Sequence, residues 1–433
     1  MDRAKKFLAD GRAEDALERL KKILPTVEPI DRWRVHELIG AAFYDLADPD
    51  GAAQAYFNAA QCDRYLRAQR QHYSNYLFAL HYLPRVETAE LAAEHFFYDE
   101  LCRDVEHIDR KVDRRSKITV GYLAPHFSEG AAARFYEPLI KLYDRKKFTV
   151  RCFTPSDEEA LEAAGLDILF DLGGHSEGGA TLPLMARRLA PIQITGLGWI
   201  DTTGLTAIDY ILTDDFLTPR GAEKFFAEKF LSVPHALTFT PTVEMIPRRR
   251  RARSEITFGC FNNFMKITDD YLECAAEILS RVPRSRLIIQ DTTRIESRRR
   301  RMIERIKKIL PIERVEVRLG RDSYLDDYAD VDVVLDTFPY NGGAMTATAL
   351  CMNVPVVSIA GERYGARFGA DILRAAGLDE LIVGDQKDFI ERAIDLAGAP
   401  IDVSDRLKGS ALLDTRRFVR AVEEKFIDVV GRV

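Results

Sequence analysis

Leu335-Asp336-Thr337-Phe338-Pro339-Tyr340-Asn341-Gly342-Gly343-Ala344-Met345-Thr346 is the stretch on which the fold turns. An apolar run over 331–335 stops at an acid and bends through a proline and two glycines. It restarts at Ala344 as a run of small, helix-compatible residues. A buried strand that ends in a glycine-rich corner and feeds a helix is the repeating unit of a parallel α/β sheet. Glycines let a ligand approach the backbone closely. The first amides of the following helix lack partners and carry partial positive charge, which suits a diphosphate. The spacing is neither a P-loop nor G-x-G-x-x-G. Pattern alone leaves a second reading open, a plain strand–turn–helix corner without a ligand.

The same alternation continues on both sides of this corner. Residues 354–359 form another apolar run, and 256–259, 286–290 and 315–318 read as strands separated by helical stretches at 271–281 and 295–310. The basic run 248–253 reads as an interdomain linker. Before it, runs at 117–123, 148–153, 167–172, 192–197 and 210–212 form a second series of strands. Residues 4–10, 13–23, 32–46 and 51–60 instead show apolar positions at helical spacing. Residues 8–16 and 46–52 look alike, with small residues facing large ones, as in tetratricopeptide-type helix hairpins. So short an array is expected to lean on the domain that follows. The expected class is α/β: a helical region at 1–112, two doubly wound, Rossmann-like units at 113–247 and 254–398, and C-terminal helices at 399–433 that pack back across the first unit. Ligands of open parallel sheets sit beyond the carboxyl ends of the strands. The two units should therefore face one another across a cleft lined by strand-end loops.

The 433 residues allow two or three domains, and 46% hydrophobic with 30% charged residues indicates a soluble chain with sizeable cores. A net charge of −6 offers no attraction to nucleic acid or to an anionic membrane. Six cysteines without metal-ligand spacing argue against a zinc site or a disulfide framework, and fit a reducing, cytoplasmic setting. The opening residues read as an amphipathic helix rather than a leader, and no apolar run approaches the ~20 residues of a membrane span. Asp330-Val331-Asp332 spells a metal–diphosphate signature, but it flanks the entry to a buried strand, so no metal is expected. Arg298 to Arg301, beside Glu296 and Glu304, reads as a solvated helix face.

Several strand-end loops carry chemistry. Gly259-Cys260-Phe261-Asn262-Asn263-Phe264-Met265-Lys266-Ile267-Thr268 presents a lysine, able to neutralise a phosphate, just before a helix capped by Thr268. Asp171-Leu172-Gly173-Gly174-His175 presents an imidazole as a candidate general base or hydroxyl partner. Pro125-His126-Phe127-Ser128-Glu129 adds two titratable groups, His126 and Glu129, as further candidates for the base. Trp199, in the turn-rich loop 198–204, offers a ring on which a sugar or peptide can stack.

These loops, taken in order, resemble the bacterial O-GlcNAc transferase/SPINDLY family. The resemblance rests on Asp171-Leu172-Gly173-Gly174-His175, Ala190-Pro191-Ile192-Gln193-Ile194-Thr195, Thr202-Thr203-Gly204 and residues 258–266. It extends to Asp336-Thr337-Phe338-Pro339-Tyr340-Asn341-Gly342 and Ala349-Leu350-Cys351-Met352-Asn353-Val354-Pro355. It covers roughly residues 70–395 and implies a GT-B fold behind a tetratricopeptide region. The implied activity is metal-free, inverting transfer of a sugar from a nucleotide diphosphate, UDP-linked, to a protein Ser or Thr held by the helical region. By position, Lys266 would contact the diphosphate, and Asn262, Asn341, Gly342, Gly343 and Thr346 would line the donor pocket. His175 would stand on the acceptor side. The family's threonine-rich run is interrupted here by Ala344 and Met345, and Gly130 stands where it places a histidine. Its base-contacting loop is shortened around Arg321, with Tyr324 at a histidine position, so that Tyr324 would stack on the base. The alternatives are a non-catalytic or partner-dependent binding module on the same fold, and a transferase acting on a small molecule or glycan.

Overall fold

A computed structural model describes residues 1–108, 110–111, 116–127, 132–247 and 255–432. Helices α1 (Asp2–Ala9), α2 (Ala13–Ile23), α3 (Arg32–Asp45), α4 (Pro49–Cys62), α5 (Leu66–Leu80) and α6 (Thr88–Leu101) form an arm in which neighbours in sequence pack together. Small residues set the helix spacing, as the pattern predicted. A Cβ on Gly40 would lie 2.6 Å from the Tyr56 ring, and one on Gly51 would lie 2.5 Å from Phe43. Asp48 caps α4 by accepting from the Gly51 amide at 3.0 Å.

The first α/β unit runs β1 (Ile118–Leu123), α7 (Ala133–Lys141), β2 (Phe148–Phe153), α8 (Glu158–Glu162), β3 (Ile168–Asp171), α9 (Leu182–Ala186), β4 (Ile192–Thr195), β5 (Tyr210–Thr213) and β6 (Lys229–Ser232). Its strands are parallel, in the order β2-β1-β3-β4-β5-β6. The second unit runs β7 (Ile256–Cys260), α10 (Asp269–Arg281), β8 (Ser285–Gln290), α11 (Glu296–Ile306), β9 (Val315–Arg318), β10 (Val333–Leu335), α12 (Ala344–Cys351), β11 (Val356–Ile359), α13 (Phe368–Ala375), β12 (Ile382–Val383) and α14 (Gln386–Gly398). Its sheet is also parallel, in the order β12-β11-β10-β7-β8-β9. β3 and β4 are buried at every position, as expected of strands covered on both faces. The short outer strands β6 and β12 carry too little apolar sequence to stand out in the pattern.

Two C-terminal helices follow, α15 (Ser404–Leu407) and α16 (Thr415–Gly431). α16 returns to the first unit as expected, setting Phe426 against Phe148 and Phe170 at centroid distances of 6.5 and 6.3 Å. The arm does lean on the rest of the chain, and it leans on both units. Ser74 of α5 bonds His175 at 2.9 Å. Ser297 of α11 donates to the Gly11 carbonyl at 3.3 Å, Arg300 pairs with Glu14 at 3.0 Å, and Arg301 pairs with Asp48 at 3.1 Å. The basic stretch keeps a solvated face, with Arg299 paired to Glu296 at 2.6 Å, while Arg300 and Arg301 also reach acids of the arm. Its first member, Arg298, is 1% exposed and pairs with Asp291 at 3.1 Å. Periodicity cannot show the contacts with the arm, because Glu14 and Asp48 lie more than 200 positions from Arg300 and Arg301. The linker arginines 248–253 lie outside the described residues. No helix among the described residues is long and apolar enough to cross a membrane.

Candidate active site

The decisive corner folds around Asp336, which β10 delivers to the sheet's carboxyl edge and buries at 1% exposure. Its Oδ1 accepts from the amides of Thr337 at 2.9 Å and Gly342 at 2.7 Å, and from Asn262 Nδ2 at 3.3 Å. Its Oδ2 accepts from Ser358 of neighbouring β11 at 2.7 Å and from Thr346 at 3.5 Å. Burial pushes this carboxyl up to about 6 against the pull of those donors. The Gly342 amide is thus spent on Asp336 rather than offered to a ligand. Glycine is required there for space, because a Cβ would lie 2.6 Å from Thr346 Oγ1 and 2.9 Å from Asp336 Oδ1. The unpartnered amides begin one residue later, in the first turn of α12. Gly343, Ala344 and Met345 are partly exposed at this mouth.

Lys266 meets this turn. Its Nζ donates to the Asn341 carbonyl at 2.7 Å and lies 3.6 Å from the Tyr340 ring centroid. Burial lowers its pKa to about 8, with Asp336 and Cys260 pulling the other way. Asn341 is fully buried, donating Nδ2 to the Thr337 carbonyl at 2.9 Å. Thr346 Oγ1 donates to the Gly342 carbonyl at 3.1 Å. Asn262, Lys266, Asn341, Gly342, Gly343 and Thr346 therefore converge on one corner. Two supports escaped the sequence reading. Asp291 accepts from the Phe264 amide at 3.1 Å, and Arg298 bonds Asn263, bracing the lysine loop from below. From the arm, Tyr82 stacks on Tyr340 at 5.3 Å.

The other donor-side positions are split. Tyr324 is half-buried, and burial raises its hydroxyl pKa while Arg134 and Thr348 pull it down. Arg321 is exposed, and its Nε donates to buried Asp327 at 2.9 Å, outside the corner. The acids of the Asp330-Val331-Asp332 signature serve the strand entry. Asp332 accepts from the Thr257 amide at 2.8 Å, and Asp330 accepts from Arg318 at 3.3 Å.

The acceptor-side readings need correction. His175 is fully buried. Its Nε2 faces the Thr203 carbonyl at 2.8 Å, which fixes the proton there, so Nδ1 accepts from the Ser74 hydroxyl. Burial, with His95 beside it, holds its pKa well below the ordinary value. With both nitrogens bonded and no solvent access, it pins the arm and is not placed as a base. Trp199 is 2% exposed, donates to the Thr202 carbonyl at 3.0 Å and packs edge-on to His175, His81 and Phe78. No face is left for a sugar. Glu129 lies outside the described residues. His126 is exposed at the end of β1, with its Nε2 2.6 Å from Glu177 Oε1 in the loop after β3. Glu177 holds a left-handed backbone, φ 50°. For a non-glycine residue this costs ~1 kcal/mol or more, and such strain clusters at functional loops. A charged residue inside a glycine-rich loop was the only sequence signal for it.

Comparison with known proteins bears on the fold and the family. The profile of glycosyl transferase family 41 matches residues 156–253 and 249–418. A protein of Solanum lycopersicum named "Probable UDP-N-acetylglucosamine--peptide N-acetylglucosaminyltransferase SPINDLY" is 34% identical over 275 residues, covering 60% of this chain and 29% of its own length. Its Arabidopsis thaliana namesake is 30% identical over 329 residues, covering 67% of this chain and 36% of its own. The chain thus spans about a third of the length of these curated relatives. A solved mutant of Thermobaculum terrenum O-GlcNAc transferase superposes with a TM-score of 0.86 at 24% identity, covering 98% of this chain and 89% of that one. That superposition shows the GT-B fold, two α/β units facing a cleft behind a helical region. By the extent of the profile match, this chain belongs to glycosyl transferase family 41.

Proposed function

We propose that this chain transfers a sugar from a nucleoside diphosphate donor, UDP-linked, to a Ser or Thr hydroxyl of a protein, with inversion and without a metal. One observation carries the proposal: the Lys266 ammonium lies 2.7 Å from the Asn341 carbonyl, at the turn that opens α12. The amides from Gly343 to Thr346 and the lysine bracket a diphosphate-sized anion. Both strengthen their hold as negative charge grows on the departing β-phosphate. The acceptor oxygen attacks the anomeric carbon from the opposite face. The carbon–oxygen bond to phosphate breaks, its electron pair stays on the phosphate, and the hydroxyl proton goes to a base. His126, tied to Glu177 at the first unit's strand ends, is the base we favour over His175.

The relatives named above as peptide transferases support a protein acceptor. A cavity of about 510 Å³ between the arm, at Asp48, Tyr82 and Arg85, and the second unit, at Met265, Thr268 and Arg301, supports an acceptor segment held beside the lysine loop. Six free thiols fit a reducing, cytoplasmic setting. The test is hydrolysis and transfer across a panel of nucleotide sugars, with wild type and Lys266→Ala. Equal rates in the two proteins would remove the assigned site.

A further inference from the structure

Ala344 and Met345 bring no hydroxyl to the start of α12, and the Thr346 hydroxyl is committed to the Gly342 carbonyl at 3.1 Å, while the opposite unit brings a cation to the same mouth. Helix α7 points its first turn at the same mouth. A Cβ on Gly343 would lie 4.0 Å from the Phe135 ring, so the residue before Phe135 stands at the cleft rim. That residue is Arg134. Its carbonyl is held by the Thr240 amide at 2.9 Å, which fixes the backbone. Its side chain is 21% exposed, and its ion-pair contact with Glu137 is a loose 4.0 Å. It acts electrostatically on the hydroxyl of Tyr324, which Glu244 and Thr348 also influence; Thr348 lies one turn along α12 from Ala344.

We propose that Arg134 is a second, cross-cleft cation for the donor diphosphate, facing Lys266 across the start of α12. This rests on the nucleotide-sugar reading above. A diphosphate carries more than one negative charge at neutral pH, and Lys266 supplies one cation. A guanidinium stays charged throughout and presents a planar fork that matches two phosphate oxygens. Because Arg134 belongs to the first unit and Lys266 to the second, a bound diphosphate ties the two units together. Donor binding and cleft closure become one event.

The test uses the full chain and the probes UDP, GDP, uridine and guanosine. Calorimetry serves for the diphosphates and saturation-transfer NMR for the nucleosides. Arg134→Met keeps the apolar stem and removes the charge. It is expected to weaken both diphosphates at least tenfold, leave both nucleosides unchanged and keep the wild-type Tm, while Arg134→Lys recovers part of the loss. Unchanged diphosphate binding in a folded Arg134→Met, beside a loss in Lys266→Ala, overturns the cross-cleft assignment and leaves the transferase reading standing. Equal weakening of nucleoside and diphosphate also overturns it, because the effect would then be on the base. Wild-type protein that binds neither diphosphate overturns both.

Discussion

Two corners of this molecule are built alike and used differently. In each unit a central strand ends in a buried aspartate that gathers a glycine turn, steadied by a hydroxyl from the adjacent strand. Asp171 at the end of β3 accepts from the Gly173 and Gly174 amides, both at 2.9 Å, and from Thr195 of β4 at 3.0 Å. Asp336 after β10 accepts from the Gly342 amide and from Ser358 of β11. Burial raises both carboxyls. What differs is the cover. The arm seals the first turn: a Cβ on Gly179 would lie 2.3 Å from Ser74 Oγ, and one on Gly204 would lie 1.8 Å from the His95 carbonyl. The second turn opens α12 toward the cleft with Lys266 beside it. The same local device serves as an anchor where it is roofed and as a candidate anion cradle where it is open.

The comparison breaks most visibly through the roof. Trp199→Ala removes a buried ring that packs on four neighbouring rings, and should cost about 3–5 kcal/mol of stability in urea denaturation. A loss below 1 kcal/mol would mean that the arm does not depend on this packing.

Acid should loosen the same roof. His95 is buried and held down to about 4 by desolvation, and His81 and His175 shift the same way. Between pH ~6.5 and 4 the unfolded chain binds the proton and the folded one does not. Stability from this group is therefore complete above 6.5 and falls as pH drops through that window, by up to about 3 kcal/mol for His95. The stability gap between wild type and His95→Gln, followed by urea midpoints, should move against wild type as pH falls. A gap independent of pH would show that His95 is not buried neutral.

The open corner answers to ligand instead. Lys266→Ala should weaken diphosphate binding about 10–100-fold, the worth of a charge-assisted phosphate contact, whereas His175→Ala should change it less than twofold in protein that remains folded. Calorimetry that ranks the two the other way reverses the roles of the corners. With Lys266 near 8, diphosphate affinity should stay level below pH 8. It should then fall by up to tenfold per unit above 8 in wild type but not in Lys266→Ala. The smallest effect is expected at the arm's edge. Asp48→Asn removes a partner from half-exposed Arg301 and should cost less than ~1 kcal/mol in urea midpoint.

Much of the donor corner was legible because its signals are local. A strand that ends in an acid, two glycines and a helix start all fall within twelve residues, and Lys266 precedes its own capped helix by two. The acceptor side was misread for the same reason. Asp171-Leu172-Gly173-Gly174-His175 has the look of a catalytic loop, and nothing within it reveals that Ser74, about a hundred positions upstream, occupies the imidazole. Glu177 went unnoticed because its meaning lies in a left-handed backbone and in a histidine of the loop after β1.

Alternating apolar runs and turn residues determined by themselves the class, the two parallel sheets, the helical region before them and the corner that begins α12. Each leaves its signal in the local spacing of apolar and turn residues. Only the tertiary structure decided which strand-end loops stay open, which histidines are buried, and that Arg300 and Arg301 reach the arm. Those outcomes depend on desolvation and on charges brought together from distant segments, and no local window of sequence contains either.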